Sequence, residues 1–231
     1  PVVSSAASDV YKRQFKKLWP LFFAGLVLPM DLTKWHKTNF LFKAAPDYTS
    51  DKKSILINSE DDLGGYFYRL DKEIPLSSDS KVKFQYQVQQ FPKVSIKLPF
   101  DKKNDDYPVR LGLVIGGGEE ADIPSAVKSR LGLSTKISNV LYFAPAKVSE
   151  KNIFCGDSPH NNYAIYCVLP SDLSQKEFEL DVLKYLKQVK NLDYSASLLG
   201  LWIFADTDDS ESKSSVKINN IEIVSAAKSS K

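Results

Sequence analysis

Between Val82 and Gln89 apolar and polar residues alternate, with Val82, Phe84, Tyr86 and Val88 on one parity and Lys83, Gln85, Gln87 and Gln89 on the other. A period of two predicts a strand with one face in a core and the other in water. Short runs of similar character recur at 54–59, 66–70, 109–115, 140–144, 163–169, 178–182, 198–205 and 216–224. In the last run the apolar phase slips by one at Asn219–Asn220, the mark of a β-bulge. Turn chemistry separates the runs at 61–65 (Asp-Asp-Leu-Gly-Gly), 77–80 (Ser-Ser-Asp-Ser) and 116–118 (Gly-Gly-Gly). Helical spacing surfaces twice, at Ile123, Ala126, Val127 and Leu131 and again at Leu183, Leu186 and Val189 or Lys190. About nine strands with one or two short helices predict an all-β chain, an antiparallel β-sandwich of jelly-roll type.

Ahead of this pattern stands an apolar run, Leu18–Leu28, preceded by Lys16 and Lys17 and broken only by Pro20 and Gly25. A bilayer span needs about 20 apolar residues, so the run suits the core of an export signal instead. The signal is expected over residues 15–30, with cleavage near Pro29–Asp31; left uncut, it is the one segment that would hold the chain at a membrane. Ser4–Gln14 (SSAASDVYKRQ) resembles a translated sequencing adapter, and residues 1–14 are set aside on that ground. The folded domain is then expected over 31–224, followed by a disordered tail at 225–231.

Export changes how charge and cysteines read. The net charge of +3 is carried entirely by residues 1–30, where Lys12, Arg13, Lys16 and Lys17 face only Asp9. The remainder is neutral and has no basic field with which to attract a phosphate backbone, so nucleic acid is excluded as a partner. Cys155 and Cys167 flank GDSPHNNYAIY. In the periplasm or outside the cell they are expected to form a disulfide contributing roughly 3 kcal/mol, with a pair of buried thiols as the alternative.

Two acidic clusters carry the candidate chemistry. Asp105, Asp106, Tyr107 and Arg110 lead into one strand, and Asp206, Asp208 and Asp209 close another that contains Trp202 and Phe204. Three readings are open: polar turns, a calcium site at Asp206, Asp208 and Asp209 built from hard oxygen ligands, or a ligand pocket in which Arg110 pairs with a carboxylate. His160 is a loop histidine that could touch such a ligand, and tyrosines such as Tyr142, Tyr163 and Tyr166 could stack on sugars. Gly116–Gly118 lacks the Lys-Ser/Thr of a phosphate loop.

These clusters also carry a resemblance. KKNDDYPVRLGLVI (102–115), SNVLYFAPA (138–146) and GLWIFADTDDSESKSSVKINNIEI (200–223) resemble the bacterial domain-of-unknown-function family 3047, whose members are mostly exported. Asp105, Asp106, Tyr107, Pro108 and Arg110, with Asp206, Thr207 and Asp208, match that family's motifs position for position; the tryptophan of its middle strand is replaced by Phe143-Ala144-Pro145. The resemblance implies export and a strand plan similar to carbohydrate-binding modules and galactose-binding jelly rolls. The expectation is therefore a module for a glycan or cell-envelope component. The alternatives are a structural envelope protein without a small ligand and a polysaccharide-acting enzyme with paired aspartates.

Overall fold

The computed structural model describes residues 23–39, 43–94, 100, 102, 105–121, 136–192 and 195–226. Two sheets face each other. The first is six-stranded and runs β11 (Gln175–Asp181), β6 (Lys81–Gln90), β13 (Lys213–Ala226), β4 (Ile55–Glu60) and β3 (Asp47–Ser50), with β1 (Phe23–Val27) also paired to β13. The second is seven-stranded: β2 (His36–Asn39), β5 (Leu63–Pro75), β12 (Ser197–Asp206), β7 (Tyr107–Gly116), β8 (Ile137–Ala146), β10 (Ala164–Pro170) and β9 (Phe154–Asp157). Every pairing is antiparallel except β8 with β10, which run parallel with β9 between them in sequence. This is the expected β-sandwich of jelly-roll type.

The alternation in β6 does what its period requires. Val82, Phe84, Tyr86 and Val88 are wholly buried, and the residues between them are half-buried. In β13 the apolar phase passes from Val216 and Ile218 to Ile221 and Ile223, and the register against β6 shifts between Ile218 and Asn220, where the bulge was expected. The middle strands of the second sheet differ: every residue of β7 and β8 is buried, because both faces of that sheet are covered. Such strands read as continuous apolar runs. Their inner face, with Val109, Leu111, Leu113, Leu141, Phe143, Leu201 and Ile203, joins the core shared with the first sheet. Their outer face forms a second cluster that includes Phe67, Tyr142, Tyr166, Trp202 and Phe204.

Helix α1 (Val182–Val189) follows β11 at the predicted position. Asp181 caps it by accepting from the Lys184 amide at 2.9 Å, and Tyr185 meets Phe143 edge-on at 5.5 Å. The other expected helix, at Ile123 to Leu131, lies outside the described residues, as do residues 1–22. No helix among the described residues is long and apolar enough to cross a membrane.

Three boundaries move. Residues 23–30 were assigned to the leader, yet β1 pairs with Glu222–Ala226, and Leu28 and Met30 enter the core. The Leu28 amide donates to the Ile221 carbonyl at 2.9 Å, and Trp35 Nε1 donates to the Pro29 carbonyl at 2.8 Å. The folded edge therefore lies upstream of residue 31. At the other end β13 runs through Ser225 and Ala226, which pair with β1 where a disordered tail was expected to begin. Finally, the turn expected at 61–65 is confined to its start. Asp61 takes a positive φ of 51°, while Gly64 and Gly65 lie inside β5. A Cβ at Gly65 would meet the Ile203 carbonyl at 2.2 Å, so this glycine serves close strand approach and not chain reversal.

Candidate functional site

Antiparallel pairing of β7 with β12 sets Tyr107 opposite Asp206, so the head of one strand and the tail of the other share an end of the sheet. Both aspartate-rich segments are thereby brought to one place. The turn before β5 joins them, since the Thr207 amide donates to the Asp62 carbonyl at 3.1 Å.

Arg110 is the centre of the arrangement. It is 1% exposed, and its carbon skeleton lies on the outer face between rings, with Cζ 4.8 Å from the Phe204 centroid, 5.0 Å from Tyr107 and 5.3 Å from Tyr166. Its Nη1 donates to Asp206 Oδ2, and its Nη2 donates to the Asp105 carbonyl and, at 3.0 Å, to Asp105 Oδ2. A charge inside an apolar strand has to be paired this way, because an unpaired buried cation costs several kcal/mol. Burial opposes the guanidinium charge, but Tyr166, Asp206 and Asp105 outweigh it and hold the group protonated.

The carboxylates divide by task. Asp106 accepts from the amides of Ser210, at 2.7 Å, and Asp209, at 3.4 Å, and from the Ser210 hydroxyl, which pins the 206–210 turn. Asp105 also meets His160 Nε2 at 2.8 Å. Asp208 pairs with Lys43 at 3.0 Å; its pKa is held below the ordinary value, burial being outweighed by Asp206 and Lys43. Burial pushes Asp206 up to about 7; Asp208 and Asp105 add to this, and Arg110 works against it. Burial together with Asp105, Asp208 and Asp106 pushes Asp209 up to about 6.

Beside these groups lies a cavity of about 370 Å³, whose walls include Tyr142, Tyr166, Trp202 and Phe204 with His160, Asn161 and the carboxylates of Asp105, Asp206, Asp208 and Asp209. Gly112 makes room for the rings: a Cβ there would lie 2.8 Å from the Tyr142 ring. Trp202 and Phe204 stack at 5.3 Å, and Trp202 Nε1 donates to Thr38 Oγ1 at 2.9 Å. Three polar atoms around Arg110 are buried with no hydrogen-bond partner among the described residues: Arg110 Nε, Tyr107 Oη and Asp206 Oδ1. A larger hollow of about 480 Å³ opens on the other side of Asp106, between Pro92, Pro108, Pro145 and Lys147. It holds one carboxylate, already committed to the 206–210 turn, and so offers less chemistry.

All seven residues singled out from sequence meet in this corner, though not in equal roles. Asp106 is a loop fastener, and Tyr107 a wall of the arginine slot. The acids whose oxygens come within 4.8 Å of one another are Asp105, Asp106 and Asp209, and Asp106, Asp206 and Asp208; the expected trio of Asp206, Asp208 and Asp209 is not brought together in that way. Both trios share Asp106, whose oxygens also accept from the 209–210 turn. His160 and Asn161 belong to the loop between β9 and β10. Cys155 and Cys167 face each other across those strands and form a disulfide that closes the loop.

No family model matches the chain, and no curated protein matches it. Solved structures of similar outline include a family 12 glycoside hydrolase, at 9% identity and a TM-score of 0.48 over 88% of this chain and 100% of that one. Endoglucanase 3 of family GH12 from Trichoderma harzianum gives 9% identity and 0.45, over 88% of this chain and 98% of that one. The xyloglucanase domain of NopAA from Sinorhizobium fredii, solved with cellobiose, gives 9% and 0.42, over 88% and 96%. These are likenesses of outline only, and the function proposed below rests on this chain's own residues.

Proposed function

We propose that this protein is an exported glycan-binding module whose site is the aromatic-walled cavity at the shared end of β7 and β12. The observation that carries this reading is the meeting of five aromatic side chains and four carboxylates in one hollow of about 370 Å³. A sugar ring presents an apolar C–H face and an equatorial rim of hydroxyls; stacked aromatics suit the first and carboxylate acceptors the second. The cavity carries no excess of basic groups, which disfavours a polyanion. The disulfide supports a destination outside the reducing cytosol, and a cell-envelope glycan is the natural partner there.

Titrating the full chain with neutral and charged oligosaccharides while following tryptophan fluorescence tests this. Trp202 lines the cavity, so binding should change its emission, and Trp202→Phe together with Phe204→Ala should weaken binding by at least about tenfold, about 1.4 kcal/mol. Absence of any response across such a panel would sink the proposal.

One observation favours a second reading. The double bridge of Arg110 to Asp105 and Asp206 is nearly inaccessible and ties two loops together, which is what a purely structural clamp would look like. That reading predicts loss of stability on Arg110→Ala, with no oligosaccharide raising the melting temperature of the parent protein.

A further inference from the structure

The loop between β9 and β10 brings two polar groups to the cavity that the fold itself leaves unused. His160 and Asn161 both line it, the first exposed and the second half-buried. A neighbour fixes the role of each. Asp105 is ion-paired with Arg110 and accepts, so the His160 proton sits on Nε2, 2.8 Å from Asp105 Oδ2, and Nδ1 keeps its lone pair. Asn161 Oδ1 accepts from the Ala164 amide at 2.8 Å, which leaves the Nδ2 hydrogens as donors. Neither His160 Nδ1 nor Asn161 Nδ2 has a partner among the described residues. The loop is also held in place. The Ser158 hydroxyl accepts from the His160 amide at 3.1 Å, Lys190 Nζ donates to the Asn162 carbonyl at 3.1 Å, and the disulfide closes the base. An acceptor and a donor on successive residues thus stand ready beside an aromatic wall, their ordering cost met in advance of binding.

We infer that the sugar bound here carries an acetamido group: its N–H donates to His160 Nδ1, its carbonyl accepts from Asn161 Nδ2, and its methyl group and ring face lie on the aromatic wall. This rests on the glycan-pocket reading above. A secondary amide presents one donor and one acceptor at fixed positions, with an apolar methyl beyond them. A lone hydroxyl must serve both loop groups from one atom and adds nothing for the rings. An ammonium has donors only and turns one of them toward the Asn161 donor. A uronate carboxylate has no donor for His160 Nδ1. A peptide amide shares the donor and the acceptor but lacks the flat C–H face that the rings suit.

Calorimetry on the full chain near pH 8 tests this, with tetramers of N-acetylglucosamine, glucosamine and glucose and a short acetylated peptide as titrants. The N-acetylglucosamine tetramer should bind at least about tenfold more tightly than the other two sugars, about 1.4 kcal/mol. Asn161→Asp keeps the acceptor for the Ala164 amide and removes the donor, while His160→Phe keeps a ring and removes the acceptor. Each should narrow the preference to less than about threefold. Saturation-transfer NMR on the parent protein needs no variant: the acetyl methyl should receive the strongest transfer, and transfer confined to other protons overturns the inference. Equal affinity for the three tetramers, or a preference for glucosamine or glucose, overturns the acetamido group and leaves the glycan pocket standing. A preference that neither variant reduces does the same. Binding of the peptide more tightly than any tetramer overturns the inference in favour of a peptide ligand. Failure of every tetramer overturns this inference and the pocket together.

Discussion

The two faces of the seven-stranded sheet are both buried, and they are built from different chemistry. The inner face is apolar throughout its middle: Val109, Leu111, Leu113, Ile115, Phe143, Leu201 and Ile203 are each wholly excluded from solvent and carry no side-chain polar atom. The outer face has rings, Arg110 and its acids, and three buried polar atoms without partners among the described residues. The same strands supply both, by parity. An inner position is interchangeable with any residue of similar shape, because the hydrophobic effect is non-directional. An outer position is not, since charge and hydrogen bonding there depend on named partners.

Substitutions can break or sharpen this contrast. The largest effect should come from Arg110→Ala, which strands two buried carboxylates: a loss of about 3–5 kcal/mol in chemical denaturation, not restored by Arg110→Lys, whose single ammonium cannot span Asp105 and Asp206. Next, Leu113→Ala on the inner face should cost about 3 kcal/mol through its cavity yet leave oligosaccharide affinity within about twofold. A tenfold loss of affinity in that variant would show that the two faces are coupled. Replacing Cys155 and Cys167 together with alanine should cost about 2–3 kcal/mol for a loop of this length. It should also weaken binding, because that loop carries His160 and Asn161 to the cavity.

The smallest effect concerns protons. Asp206 and Asp209 are raised from 3.8 to about 7 and about 6, so the folded state holds protons that the unfolded chain has already released. The sign follows by linkage: the contribution of these groups is complete below about pH 4 and is lost as pH rises through 6 to 7. Denaturation midpoints measured across that window should fall with rising pH, and Asp206→Asn should flatten the slope. A slope of opposite sign in the parent, unaltered by that substitution, would refute the assignment.

Strands that pack on the core announced themselves in the sequence. β6 did so by strict alternation, and β7, β8 and β12 by apolar runs. β2, β3 and β9 did not, because each is short and mostly exposed, and their pairing comes from neighbours and not from their own residues. The residue types of the site were legible too, since an arginine inside VRLGLVI has to find a carboxylate. Its geometry was not: Arg110 and Asp206 are 96 positions apart, and only the pairing of β7 with β12 joins them. The aromatic wall was half visible, as neighbouring residues of a strand face opposite ways and parity alone does not say which way is inward.

Strand β1 has a consequence for biogenesis. It covers the backbone of Glu222–Ala226. A protease that cut at residue 31 would strip this cover, and with it Leu28 and Met30, leaving a rim of unsatisfied amides and carbonyls on which a second molecule could add its own strand. The age and stickiness of a preparation would then be set by where its first residue lies.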